Sequence, residues 1–242
     1  IYKYKYINNM SFEKKNLAIC LTGQLRSWNI CHKNFIDKIY NHNKEHYNIY
    51  LFMAIPNKEI NKTDLYIDNI IYKTFVDDPN IQIPNFINAK GFGGIKDVGS
   101  VGGIKAAMYQ LQNIYDTYTL LLDYEKSNNI NFDIIMRVRN DVLFQTDICV
   151  NEYIDKINDN VLIIPSFASW TGVNDRFAIG NKNVMSIYMS MIKFANDYNN
   201  YPIFNLESLV TAILNNKKIK YFRSNKILFS LVRSNGNVYA EK

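Results

Sequence analysis

The stretch Asp133-Ile134-Ile135-Met136-Arg137-Val138-Arg139-Asn140-Asp141 decides how this chain is read. Its apolar run predicts a buried strand, and buried strands ordinarily end in turn residues. This one ends in two arginines and an acid. Side chains alternate along a strand, so Arg137, Arg139 and Asp141 are expected on one side. They stand at the carboxyl end, the edge at which open α/β sheets bind ligands. Two guanidiniums beside a carboxylate suit a phosphate with a metal ion next to it. The same residues also suit an internal salt bridge that anchors the strand end. The segment alone leaves both readings open.

Upstream of it, Asn16-Leu-Ala-Ile-Cys-Leu-Thr22 and Tyr47-Asn-Ile-Tyr-Leu-Phe-Met53 read as buried strands, the second ended by Pro56. Ser27 is placed to cap a helix through Tyr40, with Ile30, Phe35, Ile36 and Ile39 inward. Helical spacing recurs over 62–72, and a short strand is expected over 74–76. Residues 77–103 read as a long loop with Pro79, Pro84 and six glycines from Gly91 to Gly103, of the kind that is usually functional. Ser100 is the expected cap of a long helix over 104–127, with Met108, Leu111, Gln112, Tyr115, Tyr118, Leu121 and Leu122 inward.

Downstream, Val161–Pro165, Phe177–Gly180 and Ile227–Val232 read as strands. Residues 182–198 and 205–215 read as helices, the first with Met185, Met189 and Met191 as a core stripe. Strands alternating with helices predict an α/β fold with a mostly parallel sheet. The expected organisation is a loose lead-in over 1–15 and one domain over 16–242. Within it, 16–145 form a nucleotide half and 146–242 an acceptor half.

Hydrophobic residues make up 48% of the 242 positions and aromatics 14%, enough for a proper core. The net charge of +6 favours anionic partners. The basic residues read as spread along the chain without a dense block, so nucleic acid is not expected. Three cysteines fit no zinc or redox spacing and point to a reducing compartment, hence a cytoplasmic chain. No apolar run reaches the ~18 residues of a membrane span. The three histidines all lie before residue 47, which argues against a histidine-dependent triad or a zinc hydrolase. Acid–base work would fall to Asp or Glu.

Four further places carry candidate chemistry. In Thr22-Gly23-Gln24-Leu25-Arg26, the glycine lets backbone approach a ligand and Arg26 can meet a phosphate, although no GxGxxG is present. The glycines before the long helix match no phosphate loop, although the helix N-terminus can help hold an anion. Trp170-Thr-Gly-Val-Asn174-Asp175-Arg176 offers a stacking ring and an acid, or a packing plug beside a surface ion pair. Glu207 is either a base or a charge favoured near a helix N-terminus.

Taken in order, these segments resemble a family of GT-A-type glycosyltransferases from bacterial surface-polysaccharide loci and large DNA viruses. The matching pieces are Ala18–Arg26, Tyr124-Glu125, Phe132–Asp141, Asn174–Gly180, Glu207 and Val232-Arg233. The resemblance implies a GT-A-like, Rossmann-like domain. It implies a nucleotide-diphosphate sugar held by Thr22, Gly23, Gln24, Arg26, Arg137, Arg139, Asn140, Trp170, Asn174 and Arg233. It places Asp141 where such enzymes bind Mn2+ or Mg2+, and gives Asp175 or Glu207 the role of base toward a hydroxyl of a glycan or glycoprotein acceptor. Asn140-Asp141 departs from the two-acid metal motif, so arginines can instead neutralise the diphosphate. A viral origin would put the chain in host cytoplasm or virion. A catalytically silent nucleotide-sugar binder ranks second as a reading, and a basic nucleic-acid binder third.

Overall fold

The computed structural model describes residues 14–56, 70–75, 100–169, 172–197 and 205–240. The first strand, β1 (Lys15–Thr22), pairs in parallel with both β2 (Tyr47–Pro56) and β4 (Ile134–Arg139). Next to β2 lies β3 (Ile70–Phe75), also parallel. On the other side of β4 runs β7 (Phe177–Asn181), antiparallel to it and to β6 (Val161–Pro165). The edge strand β8 (Lys220–Ser224) is parallel to β6. The sheet order is therefore β3-β2-β1-β4-β7-β6-β8, which is the mostly parallel α/β sheet that the sequence predicts. A second sheet, β10-β9-β5, joins β5 (Val142–Phe144), β9 (Phe229–Val232) and β10 (Val238–Ala240).

Alternation along the central strands sends apolar side chains to both faces, as buried parallel strands require. Ala18, Cys20, Phe52 and Ile135 meet α2 (Ser100–Asn128), α4 (Lys182–Met189) and α5 (Leu206–Asn216). Leu17, Ile19, Leu21, Ile134 and Met136 meet α1 (Trp28–Phe35), α3 (Ile154–Asn158) and the small sheet. From α2 the buried residues are Met108, Leu111, Ile114, Tyr118 and Leu121. Their spacing is one helical stripe, and each large side chain contributes about 1.5–3 kcal/mol by leaving water. Asn181 and Asn205 cap α4 and α5 by accepting from Val184 N and Ser208 N.

Several local expectations change. Residues 70–72 lie in β3, not in a helix, because they complete a parallel ladder on β2. The loop expected over 77–103 gives way to helix from Ser100, while 76–99 lie outside the described residues. Ser27 makes no cap bond; its hydroxyl donates to the Val232 carbonyl across the fold. Ile30, read as core, is 44% exposed on α1. The helix over 182–198 stops at Met189 and continues as a 3-10 segment over Met191–Asp197. Strands β5, β8 and β10 carry too few residues with a clear period to be read from sequence. The three cysteines are free, with Cys20 and Cys31 buried.

Candidate functional site

The sheet order reverses direction at β1: the chain builds outward to β2 and β3, then returns to β4 on the other side. Such a switch point opens a crevice at the carboxyl ends of the two strands, and ligands bind there. Those ends are Thr22-Gly23 and Arg137 through Asp141, with Thr22 in register with Arg139. Backbone locks the two together. Asn140 N donates to Thr22 O at 3.1 Å, and Asn140 Nδ2 donates to Gly23 O at 2.9 Å.

Gly23 takes φ +104°, a conformation costly for any residue with a Cβ. Its N–H donates to Asn113 Oδ1 of α2 at 2.7 Å, and Asn113 Nδ2 donates to Ala54 O at 2.7 Å. One amide thus ties the ends of β1 and β2 to the long helix. Among the described residues, nothing lies within 4 Å of where a Gly23 Cβ would stand. Gln24 is exposed and extended just after it. Arg26 lies in the following 3-10 turn (Leu25–Ser27).

Arg137 is fully buried. Its Nε donates to Thr22 Oγ1 at 2.9 Å, and one terminal nitrogen donates to the Asp175 carbonyl. The other terminal nitrogen has no partner among the described residues, and neither has Asn140 Oδ1. Leaving a buried polar atom unpaired costs about 1–3 kcal/mol, more when it is charged, so such orphans mark places for a ligand or water. Burial pulls Arg137 below the usual guanidinium range. Tyr188, Asp175 and Asp141 oppose that pull, and Arg139 adds to it. The group stays charged, since a guanidinium does not deprotonate in proteins.

Two residues on, Arg139 closes a fork on Asp141: Nε to Oδ1 at 2.8 Å and a terminal nitrogen to Oδ2 at 2.7 Å. Both side chains are largely shielded, which strengthens the pair relative to a surface bridge. Arg137 and Arg139 share a face as alternation requires, whereas Asp141 follows the strand in a turn. Asp141 O accepts from Val232 N at 2.8 Å. That bond brings the end of β9, and hence Arg233, to the same edge. Arg233 is exposed, its guanidinium 5.6 Å from the Tyr239 ring centre.

A second cluster faces the first across the Arg137–Asp175 bond. Asp175 Oδ2 accepts from Gln110 Nε2 at 2.7 Å, and Oδ1 lies 3.4 Å from Arg176. Arg176 also reaches Glu207 at 3.4 Å, so one guanidinium bridges both candidate bases. The pair Asp175–Arg176 is buried, not on the surface. Glu207 is buried in the first turn of α5. Asn174 shapes the loop: its Nδ2 donates to Phe167 O at 3.0 Å and its Oδ1 accepts from Arg176 N at 2.8 Å. Tyr188 is fully buried, and its hydroxyl donates to Asp175 O at 3.3 Å; burial pushes its phenol up to about 12. Gly172 lets the loop touch α5, since a Cβ there would stand 2.0 Å from Glu207 O. Trp170 lies outside the described residues.

The structure therefore brings together Thr22, Gly23, Arg137, Arg139, Asn140, Asp141, Asn174, Asp175 and Glu207, and sets Arg233 at the rim. Gln110, Asn113 and Tyr188 were not anticipated. A signal for two of them exists: Gln110, Asn113 and Thr117 form a polar stripe at helical spacing beside the apolar stripe of α2. On the strand-end side, Arg137, Arg139 and Arg233 stand against the single carboxylate Asp141. On the loop side, Asp175 and Glu207 share Arg176. One side suits an anion, the other a hydroxyl proton.

The chain belongs to a family described as a domain of unknown function (DUF7796), whose model matches residues 12–240. No curated protein matches it. Among solved structures it is similar to mouse xyloside xylosyltransferase 1 in its apo form. The identity is 11%, coverage is 88% of this chain and 85% of that chain, and the TM-score is 0.45. It is also similar to a glycosyltransferase involved in the glycosylation of the major capsid of PBCV-1. There the identity is 10%, coverage 87% and 82%, and the TM-score 0.43.

Proposed function

We propose that this chain is a glycosyltransferase that moves a sugar from a nucleotide-diphosphate donor to a hydroxyl of a glycan or protein acceptor. The observation that carries the reading is the buried Arg137 guanidinium at the switch point, one N–H unpaired among the described residues, with Arg139 beside it. A diphosphate oxygen is the partner that such a donor at a strand end would take. The mostly parallel sheet fits the GT-A-like arrangement that the sequence resemblance implies.

In this reading the acceptor oxygen forms a bond to the anomeric carbon. The bond from that carbon to the diphosphate breaks, and its electron pair leaves with the phosphate oxygen. Arg137 and Arg139 stabilise that developing charge, and Arg233 adds to it from the rim. The hydroxyl proton goes to Asp175 or Glu207 if configuration inverts. Gln110 and Arg176 hold Asp175 in one orientation. Backbone without a Cβ at Gly23 lets the donor approach closely.

A divalent ion at Asp141 fits the described residues poorly. Mn2+ and Mg2+ take oxygen donors in near-octahedral sets. Both oxygens of Asp141 lie in the Arg139 fork, and no group of three or more His, Cys, Asp or Glu residues gathers among the described residues. The arginines are the better match for the diphosphate, and no step here is routed through a metal.

Thermal shift against UDP, GDP, CDP and dTDP, each with and without Mn2+, tests the donor site. A ligand selective for the folded state raises Tm according to its concentration over Kd. One diphosphate is expected to raise Tm without Mn2+, and to lose that effect in Arg139→Ala. A shift that needs Mn2+ would return Asp141 to the role of metal ligand. No shift with any diphosphate at millimolar concentration would overturn the reading. With the donor base known, Glu207→Gln and Asp175→Asn are expected to retain donor binding, and the one that abolishes transfer is the base.

A further inference from the structure

We propose that the free edge of the large sheet, strand β8 with the end of α5, is a docking surface for an anionic lipid bilayer. Its sequence, Lys217-Lys-Ile-Lys-Tyr-Phe-Arg-Ser-Asn-Lys226, carries five basic residues in ten and no acid. That is a local concentration where the sequence had been read as having none. All five basic side chains are exposed. Lys156 of α3 adds a sixth, its ammonium 4.7 Å from the centre of the Phe222 ring. Opposing them are Glu152, which pairs with Lys226 at 2.7 Å, and the exposed Asp155 and Asp159. The balance is clearly positive along one edge, and among the described residues β8 pairs only with β6 and is the last strand of the sheet.

The rings decide which anionic partner fits. Phe222 is 39% exposed beneath Lys156. Phe194 lies beneath Lys217 at 4.3 Å, and Tyr221 beneath Arg223 at 5.8 Å. Single-stranded nucleic acids bind by stacking bases on free ring faces. Each ring here already has a cation over a face. Five of the six cations are lysines, which act as point charges on flexible stems and do not make the planar fork that reads base edges. Cations line the edge on both faces of the sheet, Lys217 over Phe194 and Arg223 over Tyr221 on one and Lys156 over Phe222 on the other, so the charges stand on partly exposed apolar rings. That is the chemistry of a bilayer interface with acidic headgroups. Strand β8 is parallel to β4, so its carboxyl end lies at the edge that holds the candidate site. Arg223 donates to Gly172 O at 2.9 Å, in the loop that carries Asp175. Docking by this edge brings that loop toward the membrane. The proposal stands on the surface alone and does not need the donor reading.

Co-sedimentation of the full chain with vesicles tests it. Vesicles of phosphatidylcholine with one-third phosphatidylserine are expected to bind the protein at low salt, and vesicles of phosphatidylcholine alone are not. Each basic residue near such a surface is worth roughly fivefold in binding. The triple variant Lys217→Glu, Lys218→Glu, Lys220→Glu should therefore weaken binding by at least about a hundredfold. A control of equal charge change on other exposed lysines, Lys33→Glu, Lys44→Glu, Lys126→Glu, should weaken it far less. Circular dichroism and melting confirm that both variants fold. Equal loss in both would show that overall charge, not this edge, binds the lipid, and would overturn the proposal. So would the absence of binding to acidic vesicles, which would leave the lysines as guards against edge-to-edge strand pairing. Tighter binding of a short oligonucleotide through the same three lysines would overturn it in favour of a nucleic-acid surface.

Discussion

The two charged clusters at the sheet edge are built on opposite terms. At the end of β4, Arg139 and Asp141 form a closed pair with two bonds under 3 Å. In the loop before β7, Arg176 spreads over Asp175 and Glu207 at 3.4 Å each. The first arrangement is short, planar and self-contained. In the second, one guanidinium is shared between two carboxylates at longer range, and Asp175 takes a further bond from Gln110 at 2.7 Å. Arg137 belongs to both, since it bonds Thr22 in one and the Asp175 backbone in the other. The contrast teaches that cation in excess at the strand end suits an anion, while carboxylates in excess around one guanidinium suit a hydroxyl proton.

Breaking the joint between the clusters should cost most. Arg137→Ala removes a buried cation and strands the groups around it, an expected loss of about 3–5 kcal/mol by chemical denaturation. Arg137→Met fills the same space without the charge and should recover most of that stability, while diphosphate binding stays lost. If Met restored binding as well, the guanidinium would be structural only.

The loop cluster can be struck alone. Gly172→Ala drives a methyl into the Glu207 carbonyl, at an expected cost of about 3 kcal/mol. Because the strand end is untouched, the folded fraction should still bind a diphosphate. Striking the strand end alone should cost less. Arg139→Ala or Asp141→Ala opens a pair that is shielded but not fully buried, for about 1–2 kcal/mol each. The double variant should lose less than the sum of the singles. Strict additivity would show that the fork contributes nothing to folding.

The smallest effect sharpens the role of the joint. Tyr188 is held neutral by burial, its phenol moved from the usual 10.0 to about 12 in the folded chain. Below pH 10 both folded and unfolded forms keep the proton, and stability is full. Between 10 and 12 the unfolded chain releases it first, so stability falls as pH rises. The loss at pH 10.5 is below about 1 kcal/mol for this group. Buried Tyr118, pushed up to about 12, adds to the slope. Denaturation midpoints from pH 8 to 11 should fall in the wild type and fall less steeply in Tyr188→Phe.

Much of this was legible in the sequence. The apolar runs of β1, β2, β4, β6 and β7 announced a sheet because strands covered on both faces need no alternation to be recognised. Arg137, Arg139 and Asp141 stood out because charge at the end of such a run must serve either a ligand or an internal salt bridge, and Arg139 with Asp141 forms the latter. What stayed hidden is what crosses the chain. Gln110 is one polar residue in a long helix until the fold sets it 2.7 Å from Asp175. Strand β8 went unread because an edge strand has little to bury and so carries no apolar run. Residues 70–72 carry helical spacing and form a strand, because the ladder on β2 outweighs local preference.

The bond from Ser27 to the Val232 carbonyl closes a span of 205 residues. Val232 also holds Asp141, so the floor of the crevice is stitched from three distant parts of the chain. During synthesis, at about 5–20 residues per second, β1 to β4 can assemble before β9 leaves the ribosome. The crevice cannot. A ribosome stalled before residue 229 would display a sheet whose crevice still lacks the Val232 bonds to Ser27 and Asp141.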